Sequence, residues 1–178
     1  MAEGVPANSG AGSDARGSHQ PPTTDARLPL TAMQIFKLKK NWKGVKRRLD
    51  DTGVEMLIRL FRLEPSTQAQ FRDIRHLETE EKLRNSEDME KHGGKMMASL
   101  DDIVNNIENV DNALDKISQL AQQHREFPGF TADQFMLMEQ PFLDAMRIIL
   151  DDRYTDNMDT IYRILIKFIL EHLVKAGS

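Results

Sequence analysis

Five histidines, at positions 19, 76, 92, 124 and 172, and no cysteine are the first chemical facts of this 178-residue chain. Imidazole is the side chain whose charge changes nearest neutral pH, and it is also a common metal ligand. Without cysteine there is no disulfide, thiolate metal site, iron–sulfur cluster or palmitoylation to consider. Only two of the five lie in line with a long apolar stripe and near its middle. His92 falls between Met89 at i−3 and Met96 at i+4, so it shares the face of those residues on a helix. His124 falls three residues after Ala121 and seven after Ile117, again on the apolar face. His76 sits in a polar stretch and His172 close to the end of the last apolar run, which suits surface or helix-end positions.

Two imidazoles on two different helices, each embedded in apolar surface, could hold one buried metal centre from opposite sides. The lack of cysteine, and of carboxylates on those same faces, argues against zinc. An apolar slot offering one or two imidazoles suits haem, whose iron takes a proximal histidine. A lone histidine on an apolar face is more often a hydrogen-bonded core residue. Periodicity therefore leaves both readings open.

The elements that must position these residues are helices. Thr31 with Gln34 forms a capping-box signal, followed by the apolar face Ile35, Leu38, Trp42, Val45 and Leu49. A second helix over about 52–63 presents Val54, Leu57, Leu60 and Phe61. Pro65 suits the first turn of a short third helix, and 71–85 reads as a polar corner. Ser86, with Glu87 and Asp88 behind it, opens the long helix that carries His92. A helix near 111–126 carries His124. Thr131 with Gln134 repeats the capping box before a helix running to about Asp151, which Pro141 should kink or deprive of one hydrogen bond. The last helix starts near Thr155. Alternating β-branched runs with hairpin turns are absent, so the fold class is all-α, with six to eight helices.

The stretch from Leu57 to Met96 then resembles a globin. It reads LIRLFRLEPSTQAQFRDIRHL and continues with SEDMEKHGGKMMASL. Pro65, Phe71 and His92 stand six and then 21 residues apart, as do the family's C-helix proline, corner phenylalanine and distal histidine. Trp42 is similar to the buried tryptophan of the first globin helix. The resemblance spans residues 30–176. The 32-residue step from His92 to His124 and the strings LFRLEP and QHRE look most like the neuroglobin and globin X branch.

That resemblance implies a globin fold around haem b. His124 would be the proximal iron ligand, with its other ring N–H bonded to a carbonyl one turn back, that of Leu120. His92 would be the distal residue, bound to the iron or donating to dioxygen. Phe71 would wedge against the porphyrin. Leu57 and Met96 would line the distal side, Phe130 and Phe135 the proximal side, and Lys95 would reach a propionate. Two departures stand out. Met96 is bulkier than the usual Val or Ile, and Leu57 replaces the Phe of neuroglobin. The lack of cysteine removes the disulfide switch of some neuroglobins.

The implied function is reversible binding of dioxygen, carbon monoxide and nitric oxide, with bis-histidyl coordination in the ligand-free state and a redox or gas-sensing role. The alternatives are nitric oxide dioxygenation or nitrite reduction at the same iron, fed by a reductase, and a haem-free interaction domain.

Composition bounds the partners. A net charge of −4 gives no global reason to expect nucleic acid. No stretch approaches the roughly 18 uncharged apolar residues of a membrane span. The N-terminus lacks a signal-like apolar core, and Ala2 breaks the myristoylation pattern, so a cytoplasmic protein is expected. Residues 1–29, rich in Gly, Ser, Ala, Pro and Thr, read as a disordered tail before a domain over 30–178. The first helix carries Lys37, Lys39, Lys40, Lys43, Lys46, Arg47 and Arg48. That run is either a solvated face or a contact for an anionic surface such as phospholipid.

Overall fold

Side-chain caps fix where the helices begin. The computed structural model describes residues 24–178 and contains seven α-helices. They are α1 (Ala32–Lys46), α2 (Leu49–Leu63), α3 (Glu80–Arg84), α4 (Glu87–Asn105), α5 (Val110–His124), α6 (Glu139–Leu150) and α7 (Asp156–Gly177). Short 3-10 segments lie at Pro65–Gln70, Ala132–Met138 and Asp151–Arg153. The Gln34 amide donates to Thr31 Oγ1 and the Thr31 amide donates to the Gln34 side chain, which closes the expected capping box of α1. Ser86 and Thr155 accept from Met89 and Met158 amides and open α4 and α7. Each such cap satisfies an amide that the first helical turn leaves without a partner, and is worth about 1 kcal/mol.

The all-α expectation holds, and the differences are local. Pro141 was expected to kink a helix starting at Thr131. Instead, the 3-10 segment Ala132–Met138 ends before α6 begins, so Pro141 occupies the first turn, where its missing N–H has no carbonyl to serve. The expected polar corner contains α3, whose start is capped by Thr79 accepting from Lys82 N. The first helix stops at Lys46 and Leu49 belongs to α2.

The tail boundary also shifts. His19 and residues 1–23 lie outside the described residues. Residues 24–29, expected in the tail, are tied to the domain: Leu28 is buried beside Leu30 in the core, and Arg27 donates to Asp25 and to Asp111 of α5. Composition averaged over 29 residues hides one leucine that finds a core to enter.

The core has two apolar clusters. The larger gathers Leu38, Trp42 and Val45 of α1, Ile117 and Ala121 of α5, and residues of α6 around α7. Tyr162 of α7 is fully buried, and its hydroxyl donates to Asn41 Oδ1, so its one polar atom is satisfied. The smaller cluster holds Leu57, Ile58, Leu60 and Phe61 of α2 with Ile74, Leu83 and Met89. Met96 and Met138, both half-buried, pack against both clusters and mark the seam between them.

The crossing of α2 and α4 decides where His92 sits. Gly53 of α2 and Gly93 of α4 meet backbone to backbone: a Cβ on Gly53 would stand 2.1 Å from the Gly93 carbonyl oxygen. Only a residue without Cβ permits so close an approach. The residue before Gly93 is His92, so this contact sets its height beside α2.

Candidate functional site

His124 is the last residue of α5, and its position follows from that helix's own geometry. Its ring Nδ1–H donates to the Leu120 carbonyl at 2.8 Å, four residues back, which is the bond expected for it. With Nδ1 engaged as donor, Nε2 carries the free lone pair. Phe135 and Phe130 lie 4.9 and 5.1 Å from the imidazole between ring centres, and Phe127 lies at 5.7 Å. Phe130 and Phe135 also meet each other edge to face at 4.9 Å. Three aromatic rings this close restrict the rotation of the imidazole.

Behind this wall, Arg125 donates to the carbonyls of Ala176 and Gly177 at the end of α7. Those carbonyls have no helical amide to accept from. The residue next to His124 is therefore tied to the C-terminal end of the chain.

His92 has a looser setting. Phe71 stands edge-on to it at 5.9 Å, and Phe71 in turn packs on Phe61 at 5.3 Å. Its Nε2 lies 3.6 Å from Asp73 Oδ2, and the side chain keeps 33% of its exposure. The neighbours expected to share its buried face are Met89, which is fully buried, and Met96, which is half-buried at the seam.

The other candidate residues divide in the same way. Phe71 meets His92, and Phe130 and Phe135 meet His124. Met96 lies between the clusters. Leu57 is buried in the smaller one, and Lys95 is exposed on α4, in no ion pair with a described residue. His76 is exposed, whereas His172 is half-buried, with Nδ1 on the Phe168 carbonyl. Sequence reasoning did not pick out Asp73, Phe127, Arg125, Met138 or the Gly53–Gly93 crossing. A glycine inside each of two helices was the available signal for the last.

The donor set fits a flat apolar group bearing a metal. Phe71, Met96, Leu120, Phe130 and Met138 all remain half-buried beside or between the apolar clusters. Long apolar side chains at such a join gain by being covered. Among the described residues, no group of three or more His, Cys, Asp or Glu could hold a bare ion; His92 and His124 are the imidazoles that lie against these half-buried Phe71 and Phe130 rings.

A family model described as globin matches residues 54–173. The chain belongs to the globin family. This globin is 29% identical over 96 residues to cytoglobin-1 of Oryzias latipes, which covers 54% of each chain. It is 31% identical over 93 residues to the haemoglobin anodic subunit alpha of Anguilla anguilla, covering 52% of this chain and 62% of that one. The matches thus span somewhat over half the length of these curated relatives. Among solved structures, it resembles a hexacoordinated haem protein from an anhydrobiotic tardigrade. That match has a TM-score of 0.83 and 34% identity, and covers 86% of this chain and 99% of the other. No described helix of this globin is long and apolar enough to cross a membrane.

Proposed function

We propose that this globin is a cytoplasmic protein that holds haem b between His124 and His92 and binds dioxygen and other diatomic gases reversibly. Haem supplies an iron that takes such gases and exchanges single electrons. The observation that carries the reading is His124: its Nδ1–H is committed to Leu120 O, so Nε2 is presented as a ligand inside an aromatic wall. The Leu120 carbonyl would thus fix the tautomer and orientation of the ligating ring. Phe71, Met96 and Leu57 would cover the distal face, Phe130 and Phe135 the proximal face, and exposed Lys95 would pair with a propionate.

His92 serves as an internal competitor. In the ligand-free state its imidazole would be the second residue to hold the iron. Displaced from the iron, His92 would be placed to donate a hydrogen bond to a gas. Support comes from the tardigrade haem protein, which is hexacoordinated and matches nearly end to end, and from the neuroglobin-like step between the two histidines. Apparent gas affinity is then reduced by the fraction of time the site is closed.

An absorption spectrum of the reduced, ligand-free protein tests this. Sharp, split visible bands of low-spin iron are expected. One broad high-spin band would remove the bis-histidyl claim and leave haem binding standing, and the lack of any Soret band would remove both. Steady consumption of nitric oxide or nitrite with a reductase would add an enzymatic or redox role at the same centre.

A further inference from the structure

The outer face of α1 is the most lopsided surface of the molecule. Residues 30–49 contain seven Lys and Arg and no Asp or Glu, in a chain whose net charge is −4. The inner face is consumed by the core through Ile35, Leu38, Trp42 and Val45. On the outer face, Met33, Phe36, Lys37, Lys40, Lys43 and Arg47 follow one another at helical spacing, and all are exposed. Met33 and Phe36 keep 62% and 64% of their exposure. Lys39 and Lys46 pair with Glu108 and Asp101, while Lys37, Lys40, Lys43 and Arg47 form no ion pair with a described residue.

Beside this face lies a surface groove of about 640 Å³, between α1, the residues leading into it and the start of α5. Its lining mixes apolar Leu28, Ile35, Phe36 and Val110 with Lys39, Lys40 and Lys43 and the carboxylates Asp25 and Glu108. Two exposed apolar side chains at one end of a helix and a row of cations along it are complementary to a surface that is anionic outside and apolar just beneath.

We propose that α1 docks this globin on an anionic phospholipid bilayer, with Lys37, Lys40, Lys43 and Arg47 on headgroup phosphates and Met33 and Phe36 at the acyl boundary. A protein partner fits less well, since lysine is depleted from protein–protein interfaces. A nucleic acid would leave Met33 and Phe36 without a stacking role, and no aromatic row accompanies the lysines. Attachment of this kind is peripheral and reversible, because the insertion is shallow. It leaves the two histidines, on α4 and α5, free to act.

Vesicle sedimentation of the full-length purified protein tests this. It should pellet with vesicles of phosphatidylcholine containing phosphatidylserine, stay in solution with phosphatidylcholine alone, and be released by salt. Each cation near the surface is worth about fivefold in partitioning. Lys37→Gln, Lys40→Gln and Lys43→Gln together should therefore weaken binding by about a hundredfold. Met33→Ser with Phe36→Ser should weaken it at unchanged charge. Lys82→Gln with Lys167→Gln, on other helices, should leave it almost unchanged. Circular dichroism of each variant separates lost docking from lost fold. Failure to pellet with the serine-containing vesicles overturns the proposal, as does equal pelleting of a folded triple lysine variant. Binding of free oleate without vesicle binding also overturns it, because the groove would then be a fatty-acid site.

Discussion

The two histidines are held in opposite ways. His124 has a fixed ring: one nitrogen on a backbone carbonyl at 2.8 Å, and three aromatic rings within 5.7 Å. His92 has one ring edge-on at 5.9 Å and no hydrogen bond, only a carboxylate 3.6 Å away at the rim. The first arrangement suits a permanent bond, since rotation of His124 would break the Leu120 contact and collide with Phe130 or Phe135. The second suits a ligand that must leave and return, because little is lost when the imidazole of His92 swings. Both residues are half-buried imidazoles beside aromatic rings. What differs is the number of partners that agree on one rotamer.

If that comparison is right, the largest effect belongs to His124. His124→Gly should reduce haem retention towards zero, measured as Soret absorbance per protein, and added imidazole should restore part of it. Restoration shows that the lost group was a ligand and not only a packing element. A His124→Gly protein with a normal spectrum, alongside a His92→Gly protein that loses haem, would reverse the assignment of sides.

The next effect is structural and specific to the looser side. A Cβ at Gly53 meets the backbone of Gly93, which cannot move like the tip of a side chain. Gly53→Ala should cost about 3 kcal/mol by overpacking. In a chain of this length that is a fall in melting temperature of roughly 6–12 °C. On the opposite side, Phe127→Ala removes a ring that is more than half exposed and should cost under about 1 kcal/mol. Differential scanning calorimetry of the two variants compares them directly. An equal cost would mean that the Gly53–Gly93 crossing yields more readily than the backbone contact implies.

Third comes the exchange of His92 for Leu. The fold should tolerate it, since the side chain is already one-third exposed. The ferrous spectrum should pass from split low-spin bands to one broad high-spin band. Carbon monoxide binding should lose its slow, concentration-independent limit. A wild-type protein that is already high-spin would show that the loose setting of His92 reflects a residue that never reaches the iron.

The sequence carried the helices well because caps are local. Thr31 with Gln34, Ser86 and Thr155 each act on amides two or three residues away, so their pattern and their structure are nearly the same statement. The carbonyl partner of His124 was legible for the same reason, being four residues back on one helix. Contacts between helices were not. Gly53 and Gly93 lie 40 residues apart, and a glycine inside a helix reads as a weak point until its partner is known. The exposure of His92 was hidden too. Periodicity gives the face of a residue, but what covers that face belongs to Phe71 and Asp73 in the corner. Leu28 escaped because one apolar residue in a polar segment has no periodicity at all. The globin motif of Pro65, Phe71 and His92 supplied what periodicity could not, namely the family to which the helices belong.

The smallest effect should come from Asp73, and it tests the comparison most finely. Its carboxylate lies 3.6 Å from His92 Nε2, and the side chains are 57% and 33% exposed respectively, so the pair is strongly screened by water. Such a contact is worth under about 1 kcal/mol. On the proposed reading it would be an outward partner, the carboxylate nearest His92 when the imidazole leaves the iron. Asp73→Asn weakens that alternative, so His92 should spend more of its time facing inward. The closed fraction rises and carbon monoxide binding slows, by less than about fivefold. Salt dependence and a second background separate this from a general loosening of the corner. The slowing should fade as ionic strength rises and screens the Asp73 carboxylate. The background Asp73→Asn with His92→Leu should bind carbon monoxide at the same rate as His92→Leu alone, because the effect acts only through the imidazole. Faster binding in Asp73→Asn would mean that Asp73 holds His92 in the site instead of drawing it out. The loose side of the pocket would then have a second anchor, as the His124 side does.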